Sequence, residues 1–153
     1  MDLNKDFENL IHCLNREGAD FLVVGAYAVM IHTQPRYTKD IDFLVRATKK
    51  NAEKVYQALQ KFGAPLQDLT LEDLSNPELV YQIGVEPNRI DILMGIDGLG
   101  FEEAWKNKES FHYGAEPIFV MSVADLIRTK KAVGRPKDLL DVESLKKNRR
   151  SSP

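Results

Sequence analysis

The run Asp40-Ile41-Asp42-Phe43-Leu44-Val45 sets two carboxylates two positions apart at the head of an otherwise apolar stretch. In an extended strand, side chains alternate between faces at a rise of about 3.3 Å per residue, so Asp40 and Asp42 share one face about 6 to 7 Å apart. Ile41, Phe43 and Val45 then point to the other face, toward a core. Two like charges on one face repel each other and cost stability unless a cation or a basic group neutralises them, and hard divalent ions such as Mg²⁺ prefer such oxygen ligands. A second run, Arg89-Ile90-Asp91-Ile92-Leu93-Met94, repeats the design, with Asp91 between two isoleucines. If the two strands are neighbours, the three carboxylates converge. Three carboxylates can hold two metal ions about 3.5 to 4 Å apart, an arrangement that stabilises both the attacking and the leaving oxygen in phosphoryl transfer. Taken alone, Asp-x-Asp fits better the solvent face of a half-buried strand, and the neighbouring residues read together turn the balance toward metal binding.

Upstream, Val24-Gly25-Ala26-Tyr27-Ala28 passes from an apolar strand into a helix with two small residues at the turn. Small residues let a phosphate approach the backbone, and the first N–H groups of a helix offer an anion somewhere to bind. A Gly-Ala turn by itself serves packing; followed by the acidic strand, it sets phosphate binding beside metal binding. Lys130 or Lys131 can reach a β- or γ-phosphate as a point charge. Arg135 and Lys137 are close enough in sequence to Asp138 and Asp141 to pair with them instead. Arg36 and Lys39 stand just before the acidic strand, where contact with substrate is open to them.

Other chemistry is less well supported. His12, on the first helix, His32, at the end of the turn helix, and His112, in a predicted loop, have no metal-ligand spacing and read as structural. The single cysteine, Cys13, excludes an internal disulfide framework and a zinc cluster. Trp105 and the tyrosines show no aromatic-interleaved basic pattern of the kind that stacks single-stranded bases.

The elements that must position these residues follow from periodicity. Residues 3–16 form an amphipathic helix ended by Gly18, and residues 21–24 a buried strand stopped by Gly25. Residues 26–32 form the turn helix, closed by Pro35, and residues 40–45 the acidic strand. Apolar positions between 52 and 62 mark a helix with Thr48 as N-cap and Gly63 as its stop. Beyond an irregular stretch at 66–77, strands at 79–85 and 89–94 make an antiparallel hairpin around Glu86-Pro87-Asn88. A short helix at 101–108, a strand at 117–120 and a helix capped by Ser122 follow. Gly134-Arg135-Pro136 breaks the chain before a last helix to about Lys147, with residues 148–153 a frayed tail. This order predicts an α+β fold: one mixed β-sheet with helices packed on one face, in a single domain over 1–147 whose helical part spans 122–147.

At 153 residues the chain has the size of one domain. With 43% hydrophobic and 29% charged residues, its composition is that of a soluble globular protein. No segment approaches the roughly 20 apolar residues of a membrane helix, and the N-terminus lacks a signal-peptide layout, which predicts a cytoplasmic protein without a membrane partner. The net charge of −2 hides an asymmetry, since residues 128–153 carry nine basic against three acidic side chains. Such a section can meet a nucleotide triphosphate, an RNA backbone or only water.

Val24-Gly25-Ala26, a short helix, and then Arg36-Tyr37-Thr38-Lys39-Asp40-Ile41-Asp42-Phe43-Leu44-Val45 resemble the signature of the nucleotidyltransferase superfamily with the DNA polymerase β-like fold. The form Arg-x-Thr-x-Asp-Ile-Asp resembles its small prokaryotic members, including those grouped with abortive-infection toxins. The likeness covers residues 21–145. It implies transfer of a nucleoside monophosphate from an NTP to an acceptor hydroxyl, with release of pyrophosphate and with Mg²⁺ or Mn²⁺ as cofactor. Asp40, Asp42 and Asp91 would be the catalytic carboxylates and metal ligands, with Asp91 also the general base. Gly25, Ala26, Arg36, Thr38 and Lys130 would bind the nucleotide. Ala26 departs from the Gly-Ser or Gly-Gly common at the turn and supplies no hydroxyl, which predicts weaker triphosphate binding. The acceptor stays open among tRNA, a protein and a small hydroxylated molecule, and a homodimer or a cognate protein partner could complete its site. Two rival expectations are a non-catalytic interaction protein on the same scaffold, such as a toxin–antitoxin component, and a metal-stabilised domain with no nucleotide role.

Overall fold

β1 (Phe21–Val24) is buried at all four positions, so it needs a neighbour on each edge and cover on both faces. In the computed structural model, which describes residues 3–34, 40–85 and 88–151, β1 has both neighbours. β2 (Asp40–Val45) runs antiparallel on one side, and β6 (Glu116–Val120) parallel on the other. β3 (Val80–Ile83) and β4 (Arg89–Leu93) extend the sheet beyond β2, and β5 (Glu109–Tyr113) extends it beyond β6, giving the order β3-β4-β2-β1-β6-β5. The fold is α+β with a mixed six-stranded sheet, the class the sequence predicts.

Register sorts the side chains. Phe21 lies opposite Val45 and Val23 opposite Phe43, so these residues share a face with Ile41, and with Ile90 and Ile92 of β4. All seven are buried, and the Phe21 and Phe43 rings meet edge to face at 5.6 Å. The opposite face carries Val24, Asp40, Asp42, Arg89 and Asp91.

β2 and β4 are parallel, so the chain between them must cross over. The crossover contains α3 (Lys49–Phe62), which starts where Thr48 Oγ1 accepts the Asn51 N–H at 3.3 Å and stops at left-handed Gly63. α3 packs on α1 (Lys5–Arg16). The buried Asn51 side chain bonds the Asp20 N–H and the carbonyls of Asp20 and Arg46 at 2.8 to 3.0 Å, tying α3 to the start of β1 and the end of β2. A 3₁₀ turn at Asp73–Ser75 interrupts the stretch expected to be irregular.

α2 (Gly25–His32) follows β1 directly and packs against β1 and β2. After α4 (Phe101–Lys106), α5 (Val123–Val133) and α6 (Pro136–Ser151) pack on each other and on α2, which brings the C-terminal helices over the polar end of the sheet. Ser122 Oγ caps α5 by accepting the Asp125 N–H at 3.2 Å.

Three local expectations need correction. Residues 109–113 form edge strand β5, so His112 lies in a strand rather than a loop. The pattern was weak because an edge strand needs only one partner, and Glu109, Ser110 and His112 are exposed. α4 ends at Lys106 rather than Lys108, and α6 continues through Ser151 rather than closing near Lys147. Pro35 and two of the hairpin-turn residues, Glu86 and Pro87, lie outside the described residues. No helix among the described residues is long and apolar enough to cross a membrane.

Candidate active site

Parallel pairing of β2 with β4 sets Asp42 opposite Asp91 and Asp40 opposite Arg89. The alternation that sends Ile41 and Ile90 into the core turns all four polar side chains to the same side. One oxygen from each of Asp40, Asp42 and Asp91 lies within 4.8 Å of the others. The condition set by the sequence, that the two acidic strands be neighbours, is met.

The cluster is electrostatically crowded. Asp91 is buried, and burial is also the main reason the Asp42 carboxyl is pushed up to about 7. A hydrogen bond with Asp91 and the charges of Asp91 and Asp40 push the same way, while Arg89 pulls it down. The Arg89 guanidinium lies between the strands: Nη2 donates to Asp40 Oδ2 at 2.9 Å and to Asp91 Oδ2 at 3.2 Å, and Nε stands 3.1 Å from Asp91 Oδ1. Even so, Asp42 Oδ1 is buried without a hydrogen-bond partner among the described residues, and Asp91 Oδ1 has only the ion-pair contact with Arg89 Nε. Buried carboxylate oxygens left in this state are costly, and they are the hard donors that Mg²⁺ or Mn²⁺ takes. The donor set therefore fits a divalent ion held by Asp40, Asp42 and Asp91.

Gly25 opens α2 beside this cluster. Its neighbour Val24 pairs with Asp42, its φ is 68°, and a Cβ at this position would collide with Asp42 Oδ2. Only glycine meets both demands. Among the described residues no side chain caps the N-terminus of α2, and the N–H groups of a helix's first turn suit an anion. Gly25, Ala26 and the three carboxylates line a cleft of about 420 Å³, whose far wall is built from Lys130 of α5 and from α6.

Of the two candidate lysines, Lys130 borders the cleft. Its side chain is 13% exposed, and Nζ stands 3.2 Å from Asp141 Oδ2 and 3.4 Å from Asp138 Oδ1. Arg135 binds Asp138 through Nε at 2.7 Å and Nη2 at 3.2 Å, the pairing its spacing predicts. Arg135, and after it Lys130, hold the Asp138 carboxyl below the usual range. Arg36 and Thr38 lie outside the described residues. His32 is structural: Nε2 sits 2.8 Å from the Met121 carbonyl, and the ring meets Phe111 edge to face. Sequence reasoning missed Arg89, although the alternation that turns Asp91 away from the core turns the residue two positions before it the same way.

No protein-family model matches this chain, and no curated protein matches it. Among solved structures, it is similar to the lincomycin-bound crystal structure of the lincosamide antibiotic adenylyltransferase LnuA, with a TM-score of 0.61 over 95% of this chain and 98% of that one. The fold is nucleotidyltransferase-like. Sequence identity is 17%, so the likeness is one of architecture. Within that nucleotidyltransferase-like fold, the carboxylates, the glycine turn and the lysine described above meet at one cleft.

Proposed function

We propose that this protein transfers a nucleoside monophosphate from an NTP to an acceptor hydroxyl and releases pyrophosphate. The observation that carries the reading is the meeting of three carboxylates, two with buried oxygens that accept no hydrogen bond among the described residues, beside the N-terminus of α2. The nucleotidyltransferase-like fold supports it. Asp40, Asp42 and Asp91 hold the divalent metal, Mg²⁺ or Mn²⁺. When bound, the metal supplies charge stabilisation at the phosphoryl oxygens and lowers the pKa of the acceptor hydroxyl.

The remaining roles belong to the chain's own groups. Asp91 accepts the proton of the acceptor hydroxyl. The first amides of α2, at Gly25 and Ala26, receive the triphosphate, and Lys130 faces it as a point charge. Arg36 and Thr38 keep the nucleotide-contact role that the motif assigns them. Residues 1–147 act as one catalytic domain, in the cytoplasm, where NTPs are available. Among the three open acceptor classes we favour a small hydroxylated molecule. The chain is nearly coextensive with LnuA, whose structure holds a small antibiotic.

The test is incubation with each α-labelled NTP, Mg²⁺ and, in turn, cell extract, tRNA and a panel of hydroxylated small molecules. Label should enter one fraction and vanish with EDTA or in Asp42→Asn. Label transfer retained by Asp42→Asn overturns the assignment. Calorimetric heat on adding NTP and Mg²⁺, with no labelled product in any fraction, identifies the non-catalytic alternative.

A further inference from the structure

We propose that Arg89 is a resident counter-cation, so that metal binds this site by exchange, with a divalent ion displacing the guanidinium from Asp40 and Asp91. This rests on reading Asp40, Asp42 and Asp91 as metal ligands. A guanidinium has five N–H donors and no lone pair, so it neutralises carboxylates by engaging oxygen lone pairs that a divalent ion would also take. Arg89 spans the gap that matters, with one nitrogen within hydrogen-bond distance of both Asp40 Oδ2 and Asp91 Oδ2 and a second beside Asp91 Oδ1. It also fills its role only in part. Among the described residues one positive charge faces the three carboxylic groups, Asp42 Oδ1 stays buried without a hydrogen bond, and Asp91 Oδ1 has only the ion-pair contact with Arg89 Nε. An ion of higher charge, with more directions of approach, satisfies those oxygens better.

The placement of Arg89 allows the exchange. It is the first residue of β4, its side chain is 31% exposed, and it lines the cleft of about 420 Å³ that also holds Lys130. The guanidinium can therefore leave the carboxylates without disturbing Ile90, which is buried beside it in the core. Once displaced, it is a cation in the cleft to which the amides of α2 and Lys130 would bring a triphosphate. Metal entry thus prepares the nucleotide site, and the two ligands reinforce each other's binding.

The experiment measures Mn²⁺ affinity without nucleotide, by electron paramagnetic resonance of the free ion, in the wild-type chain, Arg89→Gln and Arg89→Lys. Arg89→Gln should bind Mn²⁺ roughly tenfold to a hundredfold more tightly, the size of effect that a neighbouring opposite charge has on a carboxylate. Arg89→Lys keeps the charge but not the planar fork and should fall between the two. In EDTA, Arg89→Gln should melt below wild type, and added Mg²⁺ should close the gap. Should Arg89→Gln fold only with metal present, the ion is substituting for the guanidinium, as the exchange requires. The Arg89 Nε–Hε resonance of the wild-type chain should also shift when Mg²⁺ alone is added. Wild-type binding of Mn²⁺ with equal or weaker binding by both variants, or an Arg89 resonance unmoved by bound Mg²⁺, overturns the exchange and leaves the metal reading standing. Failure of wild type and variants alike to bind Mn²⁺ at millimolar concentration overturns both.

Discussion

Gly25 and Asp42 touch across the junction of β1 and β2: the glycine's bare α-carbon leaves the space that the Asp42 carboxylate occupies. The first residue of α2 and the central carboxylate of the cluster are thus one packing unit. Gly25→Ala should damage both. A non-glycine residue held at a φ of 68° costs about 1 to 3 kcal/mol, before the clash with Asp42 is counted. Urea denaturation should show at least that loss, and label transfer should fall below detection even under conditions in which the variant is folded.

Asp42→Asn separates catalysis from stability. Removing one of three crowded acidic groups relieves repulsion, so the variant should melt at or above the wild-type temperature in EDTA at pH 8 while losing label transfer. A drop in melting temperature there would argue that the ionised Asp42 stabilises the fold.

The pH dependence of the metal-free protein has an unusual sign for an aspartate. The folded Asp42 carboxyl titrates at about 7 against an ordinary value of 3.8, so between those values the folded chain holds a proton that the unfolded chain has released. This contribution to stability is complete below about pH 3.8 and is lost as the pH rises through about 7. Chemical denaturation in EDTA across pH 4 to 8 should show the decline, Asp42→Asn should flatten it, and Mg²⁺ should reverse it at the upper end. A wild-type profile identical to that of Asp42→Asn excludes it.

Lys130→Gln tests the far wall of the cleft. The substitution takes an ammonium away from Asp138 and Asp141, and because Asp138 keeps Arg135 the expected loss is roughly 1 to 3 kcal/mol. In the transfer assay the KM for NTP should rise several-fold, with a smaller change in kcat, if the lysine contributes to binding. A KM equal to wild type would confine Lys130 to holding α5 and α6 together.

Strand alternation made the centre of this site readable in advance. Apolar residues flank Asp42 and Asp91 and follow Asp40, and that pattern carries both the strand and the face its carboxylates take. The helix caps at Thr48 and Ser122 were equally plain, because each side chain bonds an amide three residues on. Pairwise geometry was harder to read. Whether Lys130 or Lys131 borders the cleft depends on how α5 is turned against α6. The bridge from Arg89 to Asp40 depends on the register of two strands far apart in sequence. β5 went unseen because its pattern is mostly polar and its single partner, β6, comes after it in the chain.

The parallel union of β2 and β4 also bears on how the molecule is made. Asp40 and its ion-pair partner Arg89 are 49 positions apart, and a whole crossover must be laid down before they can meet. Such non-local pairing is slow to form, because the loop's entropy is spent before any contact repays it. A polypeptide emerging from the ribosome thus displays two acidic groups long before the third arrives. Refolding followed by Mn²⁺ capture should accordingly lag behind helix formation, making the ion a reporter of finished architecture.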